Sequence, residues 1–326
     1  MVRNSFVGLL FAGMSLAPVA AQDVRTSSAP FEAGLPLGVT SNGTFNPMSD
    51  NVKVYGALVD AESCAYDPTR NLIIVPSRGA SQRVATNDGY VALLNSDGSV
   101  HTAKWIGATR DGLVLNHPFG SEIHDGTLYL ADIDGDTSDD DPRTAVLRMF
   151  DLASGAPTGE IPVPQSPWLN DIAVAEDGTI YATQTVAGSD GSPVRLYQIM
   201  PDGRVTVLIE GSPLNSPNGV ALDNDGNIVV VNIGDDLVLT FSRHGALLKA
   251  EHAVQPGNDG IVIMPDGTKF VSSVRNGGIS RITPGAAAVL IASGIPSAAS
   301  MCFDPVARQL VIPMNPNNAV AIVKVP

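Results

Sequence analysis

Along the chain, apolar residues fall in short runs of about four or five, separated by turns in which Asp or Asn stands just before Gly. Short β-branched runs bounded by turn residues predict strands, not helices. One pattern recurs six times: a small or polar start, alternating apolar residues, a turn with Asp, then a short apolar strand. In one copy Asn170-Asp-Ile-Ala-Val-Ala-Glu-Asp177-Gly leads into Thr179-Ile-Tyr-Ala-Thr183, and in the next Asn218-Gly-Val-Ala-Leu-Asp-Asn-Asp225-Gly leads into Asn227-Ile-Val-Val-Val231. The copies start at Glu62, Phe119, Asn170, Asn218, Asp259 and Ala299, 40 to 57 residues apart, which is near the period of propeller blades. A second series of turns, among them Asp97-Gly98, Asp202-Gly203 and His244-Gly245, follows a third strand in each copy, so each copy reads as a four-stranded meander.

The sixth copy runs out of chain after its third strand, at 318–325, and the alternating segment 51–58 at the other end supplies the missing outer strand. Ring closure of that kind removes the exposed edges an open array would leave. The expected architecture is all-β: a six-bladed β-propeller over 45–326, closed by an N-terminal strand completing the last blade, with an extension at 22–44 before it. Residues 1–21 read as a secretory signal, with Arg3 as the positive start, an apolar stretch over 6–17 and small residues before a cleavage point at Gln22. The expected location is therefore secreted or periplasmic. No later segment is long and apolar enough for a membrane span.

Composition narrows the partners. The net charge of −14 makes nucleic acid an improbable ligand, and 44% hydrophobic against 16% charged residues argues for a folded chain. A small-molecule substrate is the partner expected. The two cysteines, Cys64 and Cys302, form no C-x-x-C motif. They fall on the innermost strands of blades 1 and 6, neighbours in a closed ring. Their repeat positions differ by one residue, which predicts side chains on opposite faces and unpaired thiols.

In a propeller the innermost strands line the channel and their first residues converge at one mouth. Residues far apart in sequence therefore meet there: Glu62, Phe119, Asn170, Asn218, Asp259 and Ala299. Two carboxylates and two amides among them make an all-oxygen set of the kind hard divalent cations use. Taken singly, Asn218-Gly219 or Asp259-Gly260 reads equally as a turn; the four in register point to a metal. The loops between second and third strands should open at the same mouth, bringing Arg78 and Arg275, each either a solvated loop residue or a group that orients a carboxylate or oxyanion. His117 is the best-placed histidine for proton transfer, with a structural role as the alternative. The acidic stretch Asp132-Ile-Asp134-Gly-Asp136, with Asp139, Asp140 and Asp141, reads as a solvated loop, a second Ca²⁺ site being the alternative. Nucleophile-elbow, zinc-helix and dinucleotide motifs are absent.

The motifs Glu62-Ser-Cys-Ala-Tyr-Asp-Pro, Leu169-Asn-Asp-Ile, Ser216-Pro-Asn-Gly-Val and Asn258-Asp-Gly-Ile resemble those of the senescence-marker-protein/gluconolactonase propellers, the regucalcin-like family. The resemblance implies one divalent cation held by Glu62, Asn170, Asn218 and Asp259: Ca²⁺ first, with Zn²⁺, Mg²⁺ or Mn²⁺ as alternatives. It implies a lactone hydrolase in which Asp259 is the general base and Asp171 sits beside the site. Where some members place a sugar-holding Arg before the first Asn, this chain has Pro167-Trp168-Leu169. Trp168 and Phe119 then suggest a less polar or aromatic substrate, unless Trp168 only packs between blades. The rival reading is a non-catalytic binding module with a structural cation.

Overall fold

Several of the Asp turns carry their own local lock. Asp67 Oδ1 accepts hydrogen bonds from the amide of Thr69 at 2.9 Å and its hydroxyl at 2.7 Å. Asp97 does the same for Ser99, and Asp177, Asp202 and Asp266 each accept the amide two residues on. A short carboxylate closing onto the backbone in this way fixes the turn, and Gly178, with φ +79°, takes the left-handed position behind one of them.

The computed structural model describes residues 38–325, apart from 42–43, 48, 50, 56–57, 81–85, 108–111, 137, 139 and 189–190. The signal reading of 1–21 and most of the 22–44 extension lie outside the described residues. Those described form strands and turns and no helix. A two-stranded hairpin, Gly38–Ser41 with Thr44–Pro47, straddles the start expected for the propeller. After it come six antiparallel sheets of four strands. From the channel outward, blade 1 is Ala65–Asp67, Leu72–Ser77, Tyr90–Leu94 and Val100–Gly107. Blades 2 to 5 repeat this order, and in the sixth sheet Cys302–Asp304, Gln309–Pro313 and Val320–Lys324 are followed by Val52–Tyr55. The register runs from Val320↔Tyr55 to Val323↔Val52.

The apolar runs are continuous because both faces of a blade are covered. In Ile228–Asn232 of blade 4, Ile228 and Val230 pack with Tyr181 and Leu196 of blade 3, while Val229 and Val231 pack with Val271 and Ile282 of blade 5. Six such clusters exist, one at each seam between blades. Strand alternation thus distributes one run over two interfaces.

The same geometry corrects the expectation for the cysteines. Cys64 and Cys302 form a disulfide, with Cα atoms 5.4 Å apart. Neighbouring blades pack face to face, so the leading face of one meets the trailing face of the next. The one-residue offset that turns the two sulfurs to opposite faces of their own sheets is what brings them together across the seam. Both lie in the cluster that joins blades 6 and 1.

Candidate active site

The residues expected at the mouth are buried at the inner ends of their blades. Glu62 and Asn170 precede their innermost strands, whereas Asn218 and Asp259 lie inside theirs. In blade 4, Pro217 pairs with Asn232 and the next pair is Val220↔Val230; in blade 5, Asn258 pairs with Ser273 and the next is Ile261↔Val271. Each innermost strand therefore carries one extra residue, a bulge that re-aims a side chain at the channel. The glycines that follow are not turn residues. A Cβ on Gly219 would collide with the carbonyl oxygen of Asp259, and one on Gly260 would lie 2.6 Å from Ser300 Cα. The strands crowd at the neck, and glycine is what lets them approach.

Blade 3 has Asp171 where blades 4 and 5 have those glycines. Its carboxylate accepts the amide of Val220 in blade 4 at 3.1 Å and approaches the Ser300 hydroxyl of blade 6 at 3.5 Å. It spans the neck. Beyond it is a cavity of about 460 Å³ that the innermost strands line, with Glu122, Asp171 and the disulfide in its wall. Burial pushes the Asp171 carboxyl up to about 7, and burial together with Asp171's charge pushes Glu122 up to about 8.

At the mouth, Glu62 Oε2 lies 3.2 Å from Arg78 Nη1, while Arg78 Nη2 donates to Asp60 Oδ1 at 2.7 Å. With its amide nitrogen turned toward Glu62, Asn315 donates to Oε2 at 2.6 Å. Asp259 is 2% exposed and Asn218 1%, and Oδ1 of each is buried without a hydrogen-bond partner. Burial, then the charges of Glu62 and Asp171, hold the Asp259 carboxyl well above the usual range, and burial also raises Glu62. Among the described residues no three His, Cys, Asp or Glu side chains gather as a metal cluster; the candidate set here is two carboxylates and two amides. Unpartnered buried oxygens in an all-oxygen set are what a hard cation would satisfy, so these residues fit one.

On the wall formed by blades 2 and 3, Phe119 and Trp168 stack with centroids 6.1 Å apart, and His117 meets Phe119 edge-on at 5.1 Å. Arg78 lies over the Phe119 ring at 5.4 Å and Arg143 over Trp168 at 5.5 Å. Phe119 is enclosed by these groups, while Trp168 is half-buried, its Nε1 unpartnered. Burial and the nearby positive charge of Arg78 lower His117 to about 4, so the imidazole is neutral, and its Nδ1 is buried without a partner. Arg275 is exposed, its stem packed over Gly257. No spacing signal in the sequence marks Asp60 or Arg143. Asn258 is marked only by its position just before Asp259.

The acidic stretch of blade 2 is tied to arginines. Arg148 Nε reaches Asp132 Oδ2 at 2.6 Å, its Nη1 reaches Glu160 at 2.7 Å, and Nη2 bonds Asp134. Arg143 pairs with Asp136 at 2.8 Å. Asp139 lies outside the described residues.

In solved structures, a gluconolactonase from Xanthomonas campestris is 17% identical, with a TM-score of 0.58 over 85% of this chain and 91% of that one. A virginiamycin B lyase from Staphylococcus aureus is 12% identical, with a TM-score of 0.58 over 86% of this chain and all of that one. Likeness at such identity speaks for the fold alone. No curated protein matches the chain in sequence. The family model described as the SMP-30/Gluconolactonase/LRE-like region matches residues 144–313. That match takes in blades 3, 4 and 5 with two strands each of blades 2 and 6, more than half of the chain, and the chain belongs to this family.

Proposed function

We propose that the protein is an exported, divalent-cation-dependent hydrolase acting on a small lactone or ester. The observation that carries this reading is the pair of buried, unpartnered oxygens on Asn218 and Asp259 beside Glu62, in a chain of the gluconolactonase-like family. Glu62, Asn170, Asn218 and Asp259 would hold the cation, Ca²⁺ first. When bound, it supplies positive charge that polarises an ester carbonyl and lowers the cost of the negative charge developing there. Asp259 accepts the proton of the attacking water, and its burial keeps bulk solvent from competing for that proton. Arg78 holds Glu62 in place through the 3.2 Å contact, which makes it a positioning residue. Trp168 and Phe119 offer an aromatic wall to the less polar part of a substrate. The Cys64–Cys302 disulfide supports export, since such bonds persist in oxidising compartments.

A second reading keeps the cation but makes it structural. The near-complete burial of Glu62, Asn218 and Asp259 favours it. One experiment separates the two: metal analysis of the purified protein with a panel of lactones and aryl esters, with and without chelator. Bound cation and chelator-sensitive hydrolysis support the enzyme. Bound cation with no hydrolysis across the panel supports the binding module.

A further inference from the structure

Asn258 is 0% exposed, and neither its Oδ1 nor its Nδ2 has a hydrogen-bond partner. A fully unpartnered buried amide lowers stability, and an apolar side chain of similar size would avoid that cost. The fold itself does not call for an amide here. The residue one before the start of each repeat is Ala61, Pro118, Leu169, Pro217 and Ala298 in the other five blades, all buried. Blade 4 is the sharpest control. It has the same bulge at the same register, and Pro217 stands where blade 5 has Asn258.

Asn258 directly precedes Asp259, and blade 4, which carries the unpartnered oxygen of Asn218, packs beside its strand. The bulge interrupts strict alternation, so neighbouring residues of the strand are not forced to opposite faces. Ca²⁺ takes about six to eight oxygens, more than Glu62, Asn170, Asn218 and Asp259 supply with one atom each. An amide oxygen adds a donor without adding to the negative charge already concentrated there. We propose that Asn258 is a fifth side-chain oxygen donor of the cation site. The proposal rests on the reading above only for the presence of a cation.

The test uses the full-length protein, stripped by chelator and titrated with Ca²⁺ alone, followed by calorimetry and thermal unfolding. Asn258→Leu should leave the Tm of the stripped protein unchanged or raise it. It should weaken Ca²⁺ binding at least about tenfold and shrink the Tm gain on Ca²⁺ addition accordingly. Asn258→Asp, which keeps the oxygens, should retain Ca²⁺ affinity while lowering the Tm of the stripped protein. Should the leucine variant not fold, Asn258→Ala gives the same readout. A stripped Tm that falls while Ca²⁺ affinity stays within about twofold of the parent would mark Asn258 as a packing residue and overturn the proposal. A parent that binds none of Ca²⁺, Zn²⁺, Mg²⁺ or Mn²⁺ would overturn the cation reading as well, a result distinct from the first.

Discussion

Two acidic clusters in this protein have opposite fates. In blade 2, Arg148 alone engages Asp132, Asp134 and Glu160, and Arg143 takes Asp136. At the mouth, Arg78 is shared between Asp60 and Glu62, while Asp259 keeps an oxygen with no partner. The blade 2 stretch has more carboxylates, yet the named ones already have their counter-charges. The mouth has fewer, and Oδ1 of Asp259 is left open. Acidity along a sequence therefore says little about cation binding until the guanidinium groups are placed.

The largest effect that could break this contrast is at Asp259. Asp259→Asn keeps the shape and one oxygen donor but removes charge and basicity. Hydrolysis should fall by about 10²–10⁴ while measurable cation binding survives. Asn218→Ala should act differently, weakening binding with activity partly restored by excess metal. Full activity in Asp259→Asn, on a substrate shown to need the cation, removes it from the base role.

Next in size is Arg148→Leu. Asp132 is fully buried, and loss of its partner leaves an uncompensated charge, a change that costs about 3–5 kcal/mol. Thermal unfolding should show a drop of several degrees, with Ca²⁺ affinity hardly moved. A comparable loss of Ca²⁺ affinity would mean that the two clusters are one system.

The smallest effect is in pH. Four carboxyls at the neck and mouth, Glu62, Glu122, Asp171 and Asp259, are raised by burial. The folded chain holds those protons more tightly than the unfolded chain, so this contribution is complete at low pH and is lost as pH rises. For Asp171 the window runs from 3.8 to about 7, and for Glu122 from 4.5 to about 8. His117, lowered to about 4, works in the reverse sense but is a single group. The Tm of the stripped protein should decline across that window. The gain on adding cation should grow over the same range, because ligating carboxylates must be unprotonated. A flat profile without metal would mean that these groups are better solvated than their burial implies.

The blades were legible in the sequence because each repeats one meander of short apolar runs and turns. Partners were not. That Arg78 would settle on Glu62 and Asp60, or Arg148 on three acids, depends on strand register within a blade, which pairs Ala61 with Ser77 and Arg148 with Glu160. The disulfide escapes a count of faces within one sheet because the bond runs between sheets. Asn218-Gly219 resembled a turn because glycine in a short motif signals one, yet here it answers to crowding at the channel neck.

The disulfide has a consequence for the chain as a connected object. Its ends are 238 residues apart in sequence, so it ties the first blade to the last and encloses almost the whole propeller in a covalent loop. A protease that nicks one loop between Cys64 and Cys302 cuts the backbone but releases no blade, since the pieces remain joined through sulfur.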